Sequence, residues 1–473
     1  MSLLIRDAHG VSLPEIPVEF PSLHPELATR AMRRFSCIGG ACEDTCCRDF
    51  GISIDREAID RMRAAVALHP ERREKVVRLV VLGMPRGGAK PQNLVQLDDR
   101  GACPLLETDG ACGIHRDYGP AALSTTCAIF PRTSLAVEGR LEVTGSLACP
   151  ELARLTLLAD DGLVQEPTTV PVLPRAHGYV GKVLDADPLD LYAQAFSRVR
   201  GTLLRLFERG EYPIGARLLF AANLAANVDT FFRAGRGHST HAEHAMQKRR
   251  LEVELEAAED PGLLASLHAD LQAFEEGRGG AVVVAAAASM WLDRRRLTHS
   301  RRFAELLDQA MASLQAECLE TSPGAVPGAD GASVTPARLR EVDERRRSVL
   351  EARAPGTIDE LLGRYCAHFI LRNPYTEAGS LLDYVGRLAL SLAAIRLLWT
   401  ASPELAARFA QPAERALDAQ VASQIAVAVI QTFTKAISHH VEYLGAVHRS
   451  HEQVSDHGGG ITFGRLVLFA RFV

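Results

Sequence analysis

The sequence predicts a mainly α protein, in which a small cysteine-rich α+β domain is packed on a multi-helix domain. Three observations carry this expectation. Eight of the ten cysteines lie between Cys37 and Cys149. Short alternations of apolar and polar residues fall in that same stretch, as half-buried strands require. From about residue 190 onward, apolar residues instead recur at three- and four-residue spacing in long segments, the period of amphipathic helices. The chain has 473 residues, 47% hydrophobic and 23% charged, which is enough for one large core or two to three smaller ones. A formal net charge of -5 supplies no overall positive field to recruit nucleic acid.

Residues 1–36 read as an irregular N-terminal arm, because Pro14, Pro17, Pro21 and Pro25 oppose a long helix. The arm lacks a basic segment followed by an apolar run, so no secretory signal is read and the cytoplasm is the expected compartment. Residues 37–160 form the expected cysteine-rich domain. Its first loop feeds a helix with Asp55 as N-cap ahead of Ala58, Ile59, Met62 and Val66. Strands are expected near Asn93–Leu97 and in TSLAVEGRLEVTG, the latter a hairpin turning at Glu138-Gly139. A helix over Glu151–Leu158 follows, and the Pro-rich link EPTTVPVLP leads out of the domain.

Residues 161–473 are expected to be mainly helical, with helices over Asp190–Phe207, Ile214–Phe231, Ala242–Ala257, Leu361–Leu371, Leu381–Trp399 and Val421–Leu444. The segment SPGAVPGADGASVTPAR reads as a flexible Gly/Pro-rich excursion near 320–336. The apolar run Ala281–Leu292 is too short to span a bilayer, and Leu388–Trp399 is interrupted by Arg396. No transmembrane helix is expected, which leaves peripheral membrane contact open.

The cysteine spacing is Cys37-x4-Cys42-x3-Cys46-Cys47, then Cys103-x8-Cys112-x14-Cys127, then Cys149 within Ala148-Cys149-Pro150. Disulfides are not expected in a reducing compartment. A soft cation holds crowded thiols as thiolates at neutral pH, so a metal is the simplest reason for such spacing. Gly39 and Gly40 let the backbone close tightly, and an Asp109-Gly110 turn would bring Cys103 toward Cys112. Tetrahedral zinc and an iron–sulfur cubane both take four thiolates. The paired C-x2-C knuckles of zinc ribbons are absent, which favours an iron–sulfur cluster and keeps zinc as the alternative. A C-x3-C-x2-C run is absent too, so radical chemistry is not read from the motif. The metal then serves either as scaffold for a small domain or as a participant in redox or transfer chemistry.

Three blocks, CIGGACEDTCCRDFGISID, CPLLETDGACGIHRDYGPAALSTTCAIFPR and SLACPELARL, closely resemble the cysteine-rich region of the flagellin lysine N-methylase family. YCAHFILRNPY, the helix through IRLLW and VIQTFTKAISHHVEYL are similar to that family's helical half, with the 320–336 segment as an insertion. The cysteine arrangement also resembles a broader group of zinc- or iron-chelating cysteine-cluster proteins. The methylase resemblance implies transfer of methyl from S-adenosylmethionine to lysines of flagellin in the cytosol, with an iron–sulfur cluster, 4Fe-4S in type, held by cysteines. It makes Cys37, Cys42, Cys46, Cys47, Cys103, Cys112, Cys127 and Cys149 the candidate ligands. Eight exceed the four that one cubane takes, so either there are two metal sites or some of the eight are packing residues. No G-x-G-x-x-G turn with a following acidic residue is found, so S-adenosylmethionine binding rests on the resemblance. The rival expectation is a zinc- or iron-binding redox or structural module without transferase activity.

Methylation of an amine by direct displacement needs a neutral nitrogen, an apolar channel and acceptors that align it. Glu43, Asp44, Asp109 and Tyr118 lie near the cysteines, but acids in turns are common and none is assigned a catalytic role. Arg132 suits a cofactor carboxylate or an anionic cluster. His115 reads as polar surface before it reads as a ligand, and so do His439, His440, His448, His451 and His457. Arg33, Arg34, Arg61, Arg63, Arg72, Arg73 and Arg78 are read as a solvated face, with an acidic partner as the minor reading.

Overall fold

The computed structural model describes residues 26–54, 56–67, 70–77, 79–83, 92–168, 182–184, 191–234, 241–274, 280, 283–284, 286–288, 300–320, 335–409, 417–438 and 462–473. The protein is mainly α-helical and divides into two compact units, the first running to Leu184 with a short piece near residues 299–301, the second comprising the rest.

In the first unit, β1 (Glu26–Thr29) leads directly into α1 (Arg30–Arg34), whose N-terminus is capped by the Thr29 hydroxyl accepting from Met32 N–H. The end of the expected irregular arm is thus ordered, since β1 has strand partners on both sides. The expected hairpin forms as β4 (Arg132–Val137) and β5 (Arg140–Gly145), paired from Arg132–Gly145 to Val137–Arg140. Its two turn residues have positive φ, 49° at Glu138 and 75° at Gly139, as a tight two-residue turn requires. After α6 (Pro150–Leu157), the chain supplies β6 (Gln165–Thr168) and β7 (Lys182–Leu184) to a five-stranded sheet of order β6-β1-β5-β4-β7. The unit therefore extends past the expected boundary at 160, because its sheet needs both of these strands. Arg30, Arg33 and Arg34 pair with Asp161 and Glu166 and fasten α1 to this return segment. The expected basic face is to that extent neutralised, and Arg61, Arg63 and Arg72 likewise meet Glu57, Asp60 and Asp117.

Beside the sheet lie α2 (Arg56–Ala65), α3 (Pro70–Val77), the two-stranded ribbon of β2 (Val80–Gly83) and β3 (Gln92–Val95), α4 (Gly113–Tyr118) and α5 (Thr125–Ile129). The helix expected after the first cysteine loop is α2, burying Ala58, Ile59 and Met62, with Val66 just beyond it. Its expected cap, Asp55, lies outside the described residues. Two apolar clusters result. One gathers Ile52, Ile59, Met62, Val95, Ile114 and their neighbours, and the other gathers Ala28, Met32, Ile129, Leu141, Val143 and Leu152. Phe50 of the first and Phe130 of the second meet edge to face at 5.4 Å.

Among its described residues the second unit consists of helices joined by turns, with no strand. The expected Asp190–Phe207 helix breaks at Ala195 into α7 (Leu191–Gln194) and α8 (Phe196–Phe207). Then come α9 (Ile214–Ala234), α10 (His241–Ala257), α11 (Pro261–Ala273), α12 (Arg301–Glu320), α13 (Pro336–Arg353), α14 (Thr357–Arg372), α15 (Leu381–Ala401), α16 (Pro403–Phe409), α17 (Ala419–Phe433) and α18 (Phe463–Phe472). The expected 320–336 excursion lies mostly outside the described residues, and its last residue, Pro336, already opens α13 behind the Thr335 cap. The segment expected as Val421–Leu444 ends its α-helix at Phe433 and continues as a wider π-type turn over Thr434–Ser438. Helix α15 is buried along nearly its whole length, and Asp229 of α9 caps it by accepting from Leu381 and Leu382 N–H, both at 2.8 Å. No helix among the described residues is long and apolar enough to cross a membrane.

Candidate metal centre

All eight candidate cysteines lie in the first unit, and none is in a disulfide. Cys318 and Cys366 are buried in helices of the second unit, as core residues.

The segments carrying Cys47 and Cys103 run side by side. Cys103 N–H donates to the Cys47 carbonyl at 2.8 Å and Asp49 N–H to the Gly101 carbonyl at 2.9 Å. The Asp109-Gly110 turn closes as the sequence implies: Gly110 N–H reaches the Glu107 carbonyl at 3.1 Å, and Asp109 Oδ1 accepts from Ala111 N–H at 3.0 Å. This folds Leu106 against Cys112 and places Cys112 at the start of α4. Gly40 abuts the same turn so closely that a Cβ would stand 2.4 Å from the Asp109 carbonyl oxygen. Cys127 sits in α5, its N–H donating to the capping Ser124 hydroxyl at 3.1 Å. Cys103, Cys47, Cys112 and Cys127 all belong to the first apolar cluster.

Cys149 belongs to the second cluster, at the N-terminus of α6. The loop carrying Cys42 and Cys46 is drawn toward α6 by Arg154, which binds Glu43 at 2.6 Å and Glu151 at 2.9 Å. Cys37 is exposed. Arg132 begins β4 opposite Gly145, and its guanidinium stacks 5.3 Å from the Phe35 ring centre. Its Nε is buried with no hydrogen-bond partner.

Electrostatics follow from burial. Burial pushes the Cys103 and Cys149 thiols up to about 11 and Cys127 up to about 12, and it raises Cys42 as well. The Cys47 and Cys112 thiols meet. Cys112 is raised by Cys47 and by burial, while Cys47 is pulled down by Cys112 but raised more by Cys46 and by its own burial. Neither Cys112 nor Cys149 makes a capping hydrogen bond of ordinary geometry. First-turn N–H groups nevertheless face both sulfurs and favour their thiolates, Ile114 and His115 at Cys112, Glu151 and Leu152 at Cys149. Arg132 is pulled down by burial, opposed by Cys37 and Cys149.

Among the described residues, no three His, Cys, Asp or Glu side chains stand close enough together to enclose an ion. The donor chemistry nonetheless fits a thiophilic cation. Several half-buried or buried thiols share one small cluster, and only a cation would offset the cost of ionising them there. His115 is half-buried, and the C-terminal histidines lie outside the described residues. Asp109 is held by Arg116 and Glu43 by Arg154, so both serve the loops' shape. Tyr118 is buried beneath Arg72. Sequence reasoning did not anticipate a cleft of about 460 Å³ in the first unit, lined by Glu71, Glu74, Lys75, Gln96, Leu97, Asp98 and Pro104. Its residues come from three separated segments, and only folding brings them together.

Architecture and site define first a class: a mainly α protein whose small mixed unit gathers eight cysteines. Part of the chain is similar to proteins named lysine-N-methylase. The chain is 28% identical over 185 residues to the lysine-N-methylase of Salmonella typhimurium, which is 37% of this chain and 44% of that protein. It is likewise 28% identical over 184 residues to the lysine-N-methylase of Salmonella choleraesuis, again 37% and 44% of the two chains. Against the flagellar biosynthetic protein FliU of Salmonella muenchen it is 29% identical over 131 residues, 27% of this chain and 75% of that protein. The match thus spans less than half the length of the two lysine-N-methylases. No family model matches the chain, and no solved structure matches it.

Proposed function

We propose that the chain is an S-adenosylmethionine-dependent protein-lysine N-methyltransferase acting on flagellin in the cytoplasm, with an iron–sulfur cluster held by its cysteines. The carrying observation is the kinship with two lysine-N-methylases and a flagellar biosynthetic protein, joined to a unit built around thiols. In the transfer, the lone pair of a neutral lysine nitrogen forms the new N–C bond as the methyl–sulfonium bond breaks. S-adenosylhomocysteine leaves, and the nitrogen's proton goes to solvent or to a protein base.

The test combines anaerobically prepared protein, purified flagellin and S-adenosylmethionine carrying a labelled methyl group. Label on flagellin lysines, with a mass gain of one CH₂ per methyl, is the expected result. Absence of label from a protein that binds its metal would favour the reading as a metal-binding module. Burial of several thiols within the apolar clusters is the observation on that side. The metal has its own readout: iron with acid-labile sulfide and a brown colour bleached by dithionite are expected, whereas a colourless zinc protein would exclude the cluster.

A further inference from the structure

We infer that the cleft of the first unit is a docking site for a lysine-rich segment of a protein substrate, held through ammonium groups that flank the lysine to be methylated. The partner rests on the methyltransferase reading; the cleft and its charge do not.

Three separate segments build the walls. Glu71, Glu74 and Lys75 share one face of α3 by their three- and four-residue spacing. The second wall is the stretch after β3. Gln96 N–H donates to the Leu79 carbonyl at 2.7 Å, and Asp98 Oδ1 accepts from the N–H groups of Arg100 and Ala102, both at 2.8 Å. That turn leads on to Pro104, which supplies the third side. At about 460 Å³ the cleft falls within the roughly 300–1,000 Å³ of ligand-binding clefts.

Its charge selects the occupant. Three carboxylates line the cleft against one ammonium, and Lys75 Nζ stands 3.6 Å from Glu107 Oε1, which offsets it. Ala102 N–H, more than any other group, holds the Asp98 carboxyl below its usual range, so this wall stays charged at neutral pH. Glu71, Glu74 and Asp98 are exposed, and they do not converge closely enough to enclose a metal ion, which favours longer cations. Leu97 and Pro104 offer apolar contact for the methylene stem of a lysine whose head meets the carboxylates. Carboxylates favour the protonated form of a neighbouring amine, whereas displacement needs a neutral one. The cleft therefore holds flanking side chains and not the nitrogen that reacts.

The experiment joins the wild-type full chain to a fluorescent lysine-rich peptide with a carbodiimide, which links carboxylates to amines in direct contact, and maps the products by mass spectrometry. Products at Glu71, Glu74 or Asp98 are expected, and acetylating the peptide's lysines should abolish them. By fluorescence anisotropy, Glu71→Gln combined with Glu74→Gln should weaken peptide binding by about tenfold, as loss of two exposed charge pairs does. Gln96→Trp narrows the cleft without removing a charge and should weaken binding as well. In the methylation assay the double variant should raise KM for flagellin far more than it lowers kcat.

Cross-links confined to acids outside the cleft, or affinity unmoved in both variants, would overturn the inference. A chain that binds spermidine but not the peptide would mark a site for free polyamines and overturn the protein partner. Flagellin methylated with an unchanged KM in the double variant would remove docking and leave the transferase reading intact. Cleft cross-links from a chain that transfers no methyl would uphold docking and remove that reading instead.

Discussion

The two units hold themselves together by different means. In the helical unit, α15 alone buries Leu388, Leu392, Ile395, Leu398 and Trp399, and the core is continuous enough to enclose a charge pair. Arg396 and Asp343 are both fully buried. Asp343 accepts from Arg396 at 2.5 and 3.2 Å and from the Thr400 hydroxyl at 2.8 Å, and the Phe472 ring covers the guanidinium at 4.0 Å. The cysteine-rich unit has two smaller clusters, and thiols occupy places that aliphatic side chains fill elsewhere. One unit thus has a single extended apolar core around a buried charge pair, whereas the other has two small clusters in which thiols take part.

The largest expected effect breaks the comparison at its weak side. Structural metal contributes on the order of 10 kcal/mol to the folding of small thiolate-rich domains. Chelation should therefore speed amide exchange across residues 47–127 while leaving Leu381–Ala401 protected. Equal protection with and without chelator would show that the first unit stands without metal. Next in size is Asp343→Ala, which strands the Arg396 guanidinium in the core and should cost about 3–5 kcal/mol. The denaturant midpoint of the helical unit is the measure. Adding Arg396→Met should recover much of the loss, and a midpoint unmoved by Asp343→Ala would refute the network's role.

The smallest effect concerns acid. Asp161 is held down to about 2, chiefly by Arg34 and then by Arg30. Its folded value lies below its unfolded one, so its stabilisation is complete above about pH 4 and drains away as the pH falls toward 2. The first unit should loosen in that window, as read by exchange at α1, and Asp161→Asn should flatten the response. A pH profile identical to wild type in that variant would remove the pair from the account.

Much of this was legible in the residues because local rules and tertiary structure agree. The Glu138-Gly139 turn and the apolar stripe of α2 both match their patterns. The structure of β1 was not legible, since four residues after a proline-rich stretch become a strand only through partners far along the chain. The break at Ala195 and the π-type turn after Phe433 interrupt segments of unbroken helical period. Among the cysteines, spacing marked which eight to consider. It could not sort them, because membership of a cluster depends on backbone pairings such as that of Cys103 with Cys47.

The position of β1 bears on synthesis at the ribosome. This strand emerges early, yet one of its neighbours is Leu141–Val143 and the other Gln165–Thr168. One edge therefore waits, unpaired, until seven of the eight candidate cysteines have been made and the other until all eight have, and loop closure over such separations is slow. All eight thiols are thus made before the sheet is complete.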